Sequence, residues 1–161
     1  MNPGDAKRAV LSHTMHLAVS AADVFPLLCP MREYDWIEHW RCEVLHTESG
    51  VAERGCVFRT DFPDGGRETW TVCRHEPPHG ISFVRTGMRR TTLYDIDLTD
   101  EADGGCSLVW RQDITGLEES AGRGLAVPNE AGYAERMRLL ERMLGHYLAT
   151  GTMLRTGAAG D

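Results

Sequence analysis

"CSLVWRQDI", residues 106–114, carries the clearest period-two alternation in the chain. Successive side chains of a strand point to opposite faces, so Cys106, Leu108, Trp110, Gln112 and Ile114 share one face and Ser107, Val109, Arg111 and Asp113 the other. That is the signature of an antiparallel strand with one face on a core and one in water. Working back toward the amino terminus, five more stretches carry the same period: 41–47, 55–62, 67–75, 81–86 and 90–98. They are separated by "ESG", "PDGG", "EPPHG", Gly87 and "DEADGG", all rich in turn formers. Short turn-rich connections between evenly spaced strands predict a meander. A seventh strand is expected at 13–19, with His13, Met15, Leu17 and Val19 on one face.

Helical signals flank this run. Ser20, with Asp23 three positions on, offers a capping oxygen to a short helix "AADVFPLL", which Pro26 should make irregular. Pro30 suits the first turn of a second helix carrying "MREYDWIEHW". Residues 130–149 read as one long helix, with Tyr133, Met137, Leu140, Leu144 and Tyr147 on its apolar stripe. The 116–132 loop before it holds Gly122, Gly124 and Gly132, which would let it gate whatever lies beneath. The last residues, 151–161, read as a disordered tail, leaving 12–150 as a single domain.

The fold class that follows is α+β: a curled seven-stranded antiparallel sheet around a long C-terminal helix, with two short helices after strand 1. Seven strands at ~4.8 Å spacing make a sheet about 30 Å wide, whereas a helix with its side chains is only about 10 Å across. The sheet must curl to be covered, and a curled sheet gripping one helix leaves an interior space. Left empty and apolar, ~300 Å³ would cost about 7 kcal/mol, a large part of a domain's stability, so such a space should be filled, hydrated or partly collapsed.

Composition narrows the function classes. With 24 acidic against 17 basic residues the net charge is -7, Lys7 is the only lysine, and no three basic residues adjoin. Phosphate backbones would be repelled, so nucleic acid is not an expected partner. No secretory signal and no run of ~18 apolar residues occurs, which predicts a cytoplasmic protein without membrane insertion. Five cysteines without a C-x-x-C pair argue for buried thiols over a disulfide framework or zinc cluster. "HEPPH", residues 75–79, matches the H-E-x-x-H pattern of zinc proteases, but Pro77 and Pro78 forbid the helix that pattern needs. It reads as a hairpin turn. His13 and His16 fall on opposite strand faces and cannot share a metal. Neither a metal nor a cofactor is implied.

The inward faces name the candidate pocket wall: Phe58, Trp70, Phe83, Arg85, Trp110 and Gln112 from the sheet, with Arg74 following Trp70 and Val72. Tyr133, Met137 and Leu140 face them from the long helix, and Trp36 and Trp40 from the second short one. On that helix Glu33 shares a face with Trp36, Ile37 and Trp40; a buried carboxylate needs a partner, either Arg85 or a bound ligand. Asp35 and His39 lie one helical turn apart, where a carboxylate could orient an imidazole as a general base.

The order of elements, together with "VSAADVFPLLCP" (19–30), Trp40, Ser49-Gly50 and "GCVF" (55–58), resembles the START-like (SRPBCC) superfamily over residues 12–150. That superfamily includes polyketide cyclases and lipid-transfer domains. The resemblance implies a helix-grip fold around a hydrophobic cavity whose cargo is a lipid, sterol, hormone or polyketide. Three readings follow. The first is binding of a small hydrophobic or amphipathic molecule, oriented by Glu33, Arg85 and Gln112. The second is a cyclase, aromatase or hydrolase in which Glu33, Asp35 or His39 moves a proton. The third is an interaction module, such as a homodimer formed through an exposed patch of Tyr34, Trp36 or Trp40.

Overall fold

The structure is a computed structural model that describes residues 8–63, 66–117 and 130–157. Its sheet runs β1 (Arg8–Leu17), β2 (Glu43–His46), β3 (Val57–Phe62), β4 (Gly66–Glu76), β5 (Gly80–Gly87), β6 (Arg90–Asp100) and β7 (Cys106–Gly116). The spatial order is β1-β7-β6-β5-β4-β3-β2, every pairing antiparallel. The expected meander is present, with β1 returning to the far side of β7. β1 starts earlier than the sequence suggested and ends before Val19, because its ladder to β7 runs from Arg8–Thr115 to Leu17–Cys106. Leu11, Met15 and Leu17 face the core from it.

Ser20 caps α1 (Ala21–Val24), its hydroxyl accepting from the Asp23 N–H. The chain then tightens into a 3₁₀ turn, Phe25–Leu28, at Pro26. This is the irregularity that a proline inside a helix predicts.

The second helix does not form. Only Glu33–Asp35 makes a 3₁₀ turn, and His39 sits at φ 66, a left-handed conformation that ends any helix. The indoles account for the departure. Trp36 Nε1–H donates to the Leu27 carbonyl at 2.8 Å, and Trp40 Nε1–H to the Pro30 carbonyl at 2.9 Å. Buried N–H groups demand acceptors, and folding this segment back on 27–30 supplies them while still burying both rings.

α2 (Glu130–Thr150) contributes Tyr133, Met137, Met143 and Leu144 to the same core as the inner sheet face. Beyond it Leu154 packs on the core, and the Thr156 N–H and hydroxyl both donate to Glu38 Oε2, at 3.0 and 2.6 Å. No described helix is long and apolar enough to cross a membrane. Most of the 116–132 loop, including Gly122 and Gly124, and residues 158–161 of the tail lie outside the described residues.

Candidate functional site

Register places the inner-face side chains in rows across the sheet. Val72, Phe83, Tyr94, Gln112 and Leu11 form one row; Trp70, Arg85, Thr92 and Ile114 form the next. Aromatic rings fill them. Phe58 stacks on Trp70 at 5.3 Å, Phe83 meets both edge-on, and Tyr94 stands 6.0 Å from Trp70 and from Trp110. Each edge-to-face pair adds to simple area burial.

One end of this wall is ionic. Glu68, fully buried, accepts from Arg85 at 2.8 Å and from Arg90 at 2.9 Å, and Arg85 lies over the Trp70 ring at 4.5 Å. Burial pushes the Arg85 pKa down from its ordinary value, and Glu68 opposes that push. Glu68 is thus the counter-ion that keeps a desolvated guanidinium charged.

Three buried donors find no acceptor in the protein: Arg85 Nε–H, Trp110 Nε1–H and the Tyr133 hydroxyl. A buried unpaired donor costs about 1–3 kcal/mol, so three in one core ask for an explanation. The Gln112 amide lies near the Tyr94 and Tyr133 phenols and acts to lower both their pKa values, but makes no well-formed hydrogen bond to the Tyr133 hydroxyl. Burial dominates both phenols, raising Tyr94 well above the ordinary tyrosine range and pushing Tyr133 up to about 12.

Glu33 faces the same region. It keeps some accessible surface, yet desolvation alone pushes its carboxyl up to about 8, and its field reaches Tyr94. Its carboxyl is therefore mostly protonated at neutral pH, a donor as well as an acceptor.

Residues 8–145 match the family described as polyketide cyclase / dehydrase and lipid transport. The chain belongs to that family. Among solved structures it is similar to a point mutant of norcoclaurine synthase from Thalictrum flavum bound to a transition-state analogue, at 12% identity and TM-score 0.64, covering 91% of this chain and 99% of that one. CalU16 from Micromonospora echinospora matches at 14% identity and TM-score 0.57, over 91% of this chain and 87% of that one. DynU16, from the dynemicin biosynthetic locus, matches at 20% identity and TM-score 0.60, over 89% of this chain and 48% of that one. The chain thus spans about half the length of DynU16. At these identities the likenesses establish the fold, a helix grip with an unclosed antiparallel sheet. No curated protein matches the chain.

Within this polyketide cyclase / dehydrase and lipid-transport fold, the expected wall residues Phe58, Trp70, Phe83, Trp110, Tyr133 and Met137 are all buried, and Arg85, Gln112 and Leu140 partly so. Trp36 and Trp40 are buried too, but their N–H groups are spent on backbone carbonyls, which makes them braces of the 27–40 segment. Asp35 and His39 do not pair. Asp35 is exposed and accepts from Arg32 at 2.7 Å, and His39 is exposed beside Glu38, because the helix that would have aligned them is absent. Arg85 takes Glu68, not Glu33, as its partner. Arg74 leaves the inner face: the register shifts between Val72 and Arg74, so Arg74 pairs with Ser82 and bonds Asp97 outside, and His75 turns in to meet Phe25 at 5.5 Å.

The sequence reading missed Glu68, Arg90 and Tyr94. All three were visible as alternate positions, Glu68 in phase with Trp70 and Val72, and Arg90 and Tyr94 in phase with Thr92, Ile96 and Leu98. A separate groove of about 560 Å³ lies between the end of β1 and α2, lined by Leu17, Val19, Arg138, Glu141 and Leu148 among others. Its acid is already engaged, Glu141 accepting from the His16 N–H at 3.0 Å and lying 3.4 Å from His13. Among the described residues no cluster of three His, Cys, Asp or Glu side chains could hold a metal.

Proposed function

We propose that this protein binds a small hydrophobic or amphipathic molecule, lipid- or polyketide-like, between the inner face of the sheet and α2. The unpartnered donors Arg85 Nε, Trp110 Nε1 and Tyr133 hydroxyl, set in a wall of aromatic rings, carry the reading. Apolar burial would supply most of the affinity, and acceptors on the ligand would relieve the donors. Titration with the neutral fluorophore N-phenylnaphthylamine tests it. The expected result is saturable fluorescence enhancement at one molecule per chain, weakened by Tyr133→Trp, which puts a larger ring on the α2 side. No saturable signal, or one indifferent to that substitution, would count against it.

A second reading, acid–base catalysis in the same space, is favoured by Glu33. A carboxylic acid that holds its proton near neutral pH is suited to protonate or stabilise a developing oxyanion. Of the three acid–base candidates Asp35 and His39 are exposed and only Glu33 is partly buried, so Asp35 and His39 are set aside. Under this reading Glu33→Gln should abolish turnover of an accepted substrate without weakening its binding; unchanged turnover would remove Glu33 from the chemistry.

A further inference from the structure

Among the described residues, the three fully buried side-chain atoms left without a partner can all donate. Arg85 Nε, Trp110 Nε1 and the Tyr133 hydroxyl are buried without an acceptor. They are not spread evenly in charge. Arg85 is cationic and donates from Nη2 to Glu68 Oε1, while Arg90 reaches both oxygens of that carboxylate, at 2.9 and 3.4 Å. Glu68 is therefore shared between the two guanidiniums.

Arg85 is also fixed in place. Its guanidinium is stacked 4.5 Å above the Trp70 ring, and Trp70 is held by its own Nε1–H to Thr60 Oγ1 at 2.8 Å. A planar cation locked by stacking and one ion pair, with its Nε–H free, is preorganised to receive an oxygen anion. Desolvation would make that contact stronger than one in water.

We infer that the ligand of this site carries an acidic group, a carboxylate, enolate or phenolate, whose oxygen docks on Arg85 while its rings lie along Trp70, Tyr94 and Trp110. The inference rests on the binding role proposed above and deepens it to a ligand class: an aromatic or otherwise flat apolar body with an oxyanion at one end. Glu33, whose field reaches Tyr94, does not compete, because burial keeps it protonated at neutral pH. The Trp110 and Tyr133 donors then serve neutral acceptors such as carbonyl or ether oxygens further along the ligand.

Two probes of nearly the same shape separate the ligand class from the binding role: anilinonaphthalene sulfonate, which is anionic, and neutral N-phenylnaphthylamine. At neutral pH the anion should bind at least about tenfold more tightly, the difference that one desolvated charge-assisted bond supplies. Arg85→Met should bring the two affinities together, and Arg85→Lys, which keeps charge but loses the stacked fork, should recover part of the gap. Arg74→Met on the outer face should leave the gap intact. Thermal melts show whether the Arg85 variants fold; if Arg85→Met does not, Arg85→Lys alone must shrink the gap. Equal binding of both probes by the unaltered protein, or a gap that Arg74→Met removes, overturns the inference while the binding role stands. If neither probe binds, the binding role itself fails, and the inference with it.

Discussion

Arg85 lies 4.5 Å above the ring of Trp70 and donates to Glu68 from the neighbouring strand at 2.8 Å. The two contacts do different work: the indole fixes where the guanidinium lies, and the carboxylate lets it stay charged where water is scarce. Because Glu68 also holds Arg90, one acid on β4 ties β5 and β6 together at the ionic end of the wall. Glu68→Ala should remove the carboxylate from a buried guanidinium, Arg85, and destabilise the protein by about 3–5 kcal/mol in urea unfolding. A loss below about 1 kcal/mol would mean the cluster is far wetter than its geometry shows.

Gly87 is the steric complement of that acid. A Cβ there would come within 2.9 Å of Glu68 Cγ and 3.0 Å of the Arg67 carbonyl oxygen, and backbone cannot retreat cheaply. Gly87→Ala should therefore cost about 1–3 kcal/mol, against the gain of a few tenths or more expected for Gly→Ala at an unconstrained position.

Glu33 makes stability fall with rising pH. Its folded pKa, about 8, exceeds the ordinary carboxyl value of 4.5, so between those values the folded state holds a proton the unfolded state has lost. Stability is complete below the unfolded value and is lost as pH rises through about 8, by an amount on the order of a few kcal/mol at most. Glu33→Gln should flatten denaturation midpoints measured across that window and leave the variant the more stable protein at pH 9. Parallel pH profiles for the two proteins would show that Glu33 is not desolvated.

Glu53 works in the opposite sense. It accepts from the Glu48 and Ser49 N–H groups and the Thr47 and Ser49 hydroxyls, closing the turn in which Gly50 takes φ 85. Those bonds, the Ser49 hydroxyl first, hold its carboxyl down to about 2. The turn's stabilisation is present above the unfolded carboxyl value and lost as pH falls toward 2. Glu53→Gln should increase amide exchange at 48–50 at neutral pH and make it less sensitive to acid; unchanged exchange would deny the carboxylate this role.

Period-two patterning made the sheet legible, since the faces of β5 and β7 could be assigned residue by residue before any coordinates. It failed where the backbone departs from period two. The irregularity after Val72 sends Arg74 outward and brings His75 in, and no residue type near Cys73 marks it. The 30–40 segment misled in another way. Helical spacing rightly grouped Trp36 and Trp40 as buried, but two indole N–H groups bonding back to Leu27 and Pro30 decide the backbone path, and such tertiary bonds leave no trace in periodicity. For the same reason Arg85 could be placed on the inner face while its true partner could not. Glu68 stands two positions before Trp70 and four before Val72, in phase with both, and an acid in phase with an apolar face was the available sign.

The reading that Trp36 and Trp40 form an exposed docking patch does not survive their burial, at 0% and 8% exposure; of the three aromatics only Tyr34 is exposed, and its hydroxyl is engaged with the Cys42 backbone.

The most direct measurement is a crystal structure of the protein with anilinonaphthalene sulfonate. The account predicts the naphthalene rings between sheet and α2, against Trp70, Tyr94 and Trp110, with a sulfonate oxygen within hydrogen-bond distance of Arg85. Rings seated instead in the outer groove between Val19 and Leu148, with the interior closed by repacked side chains, would contradict it.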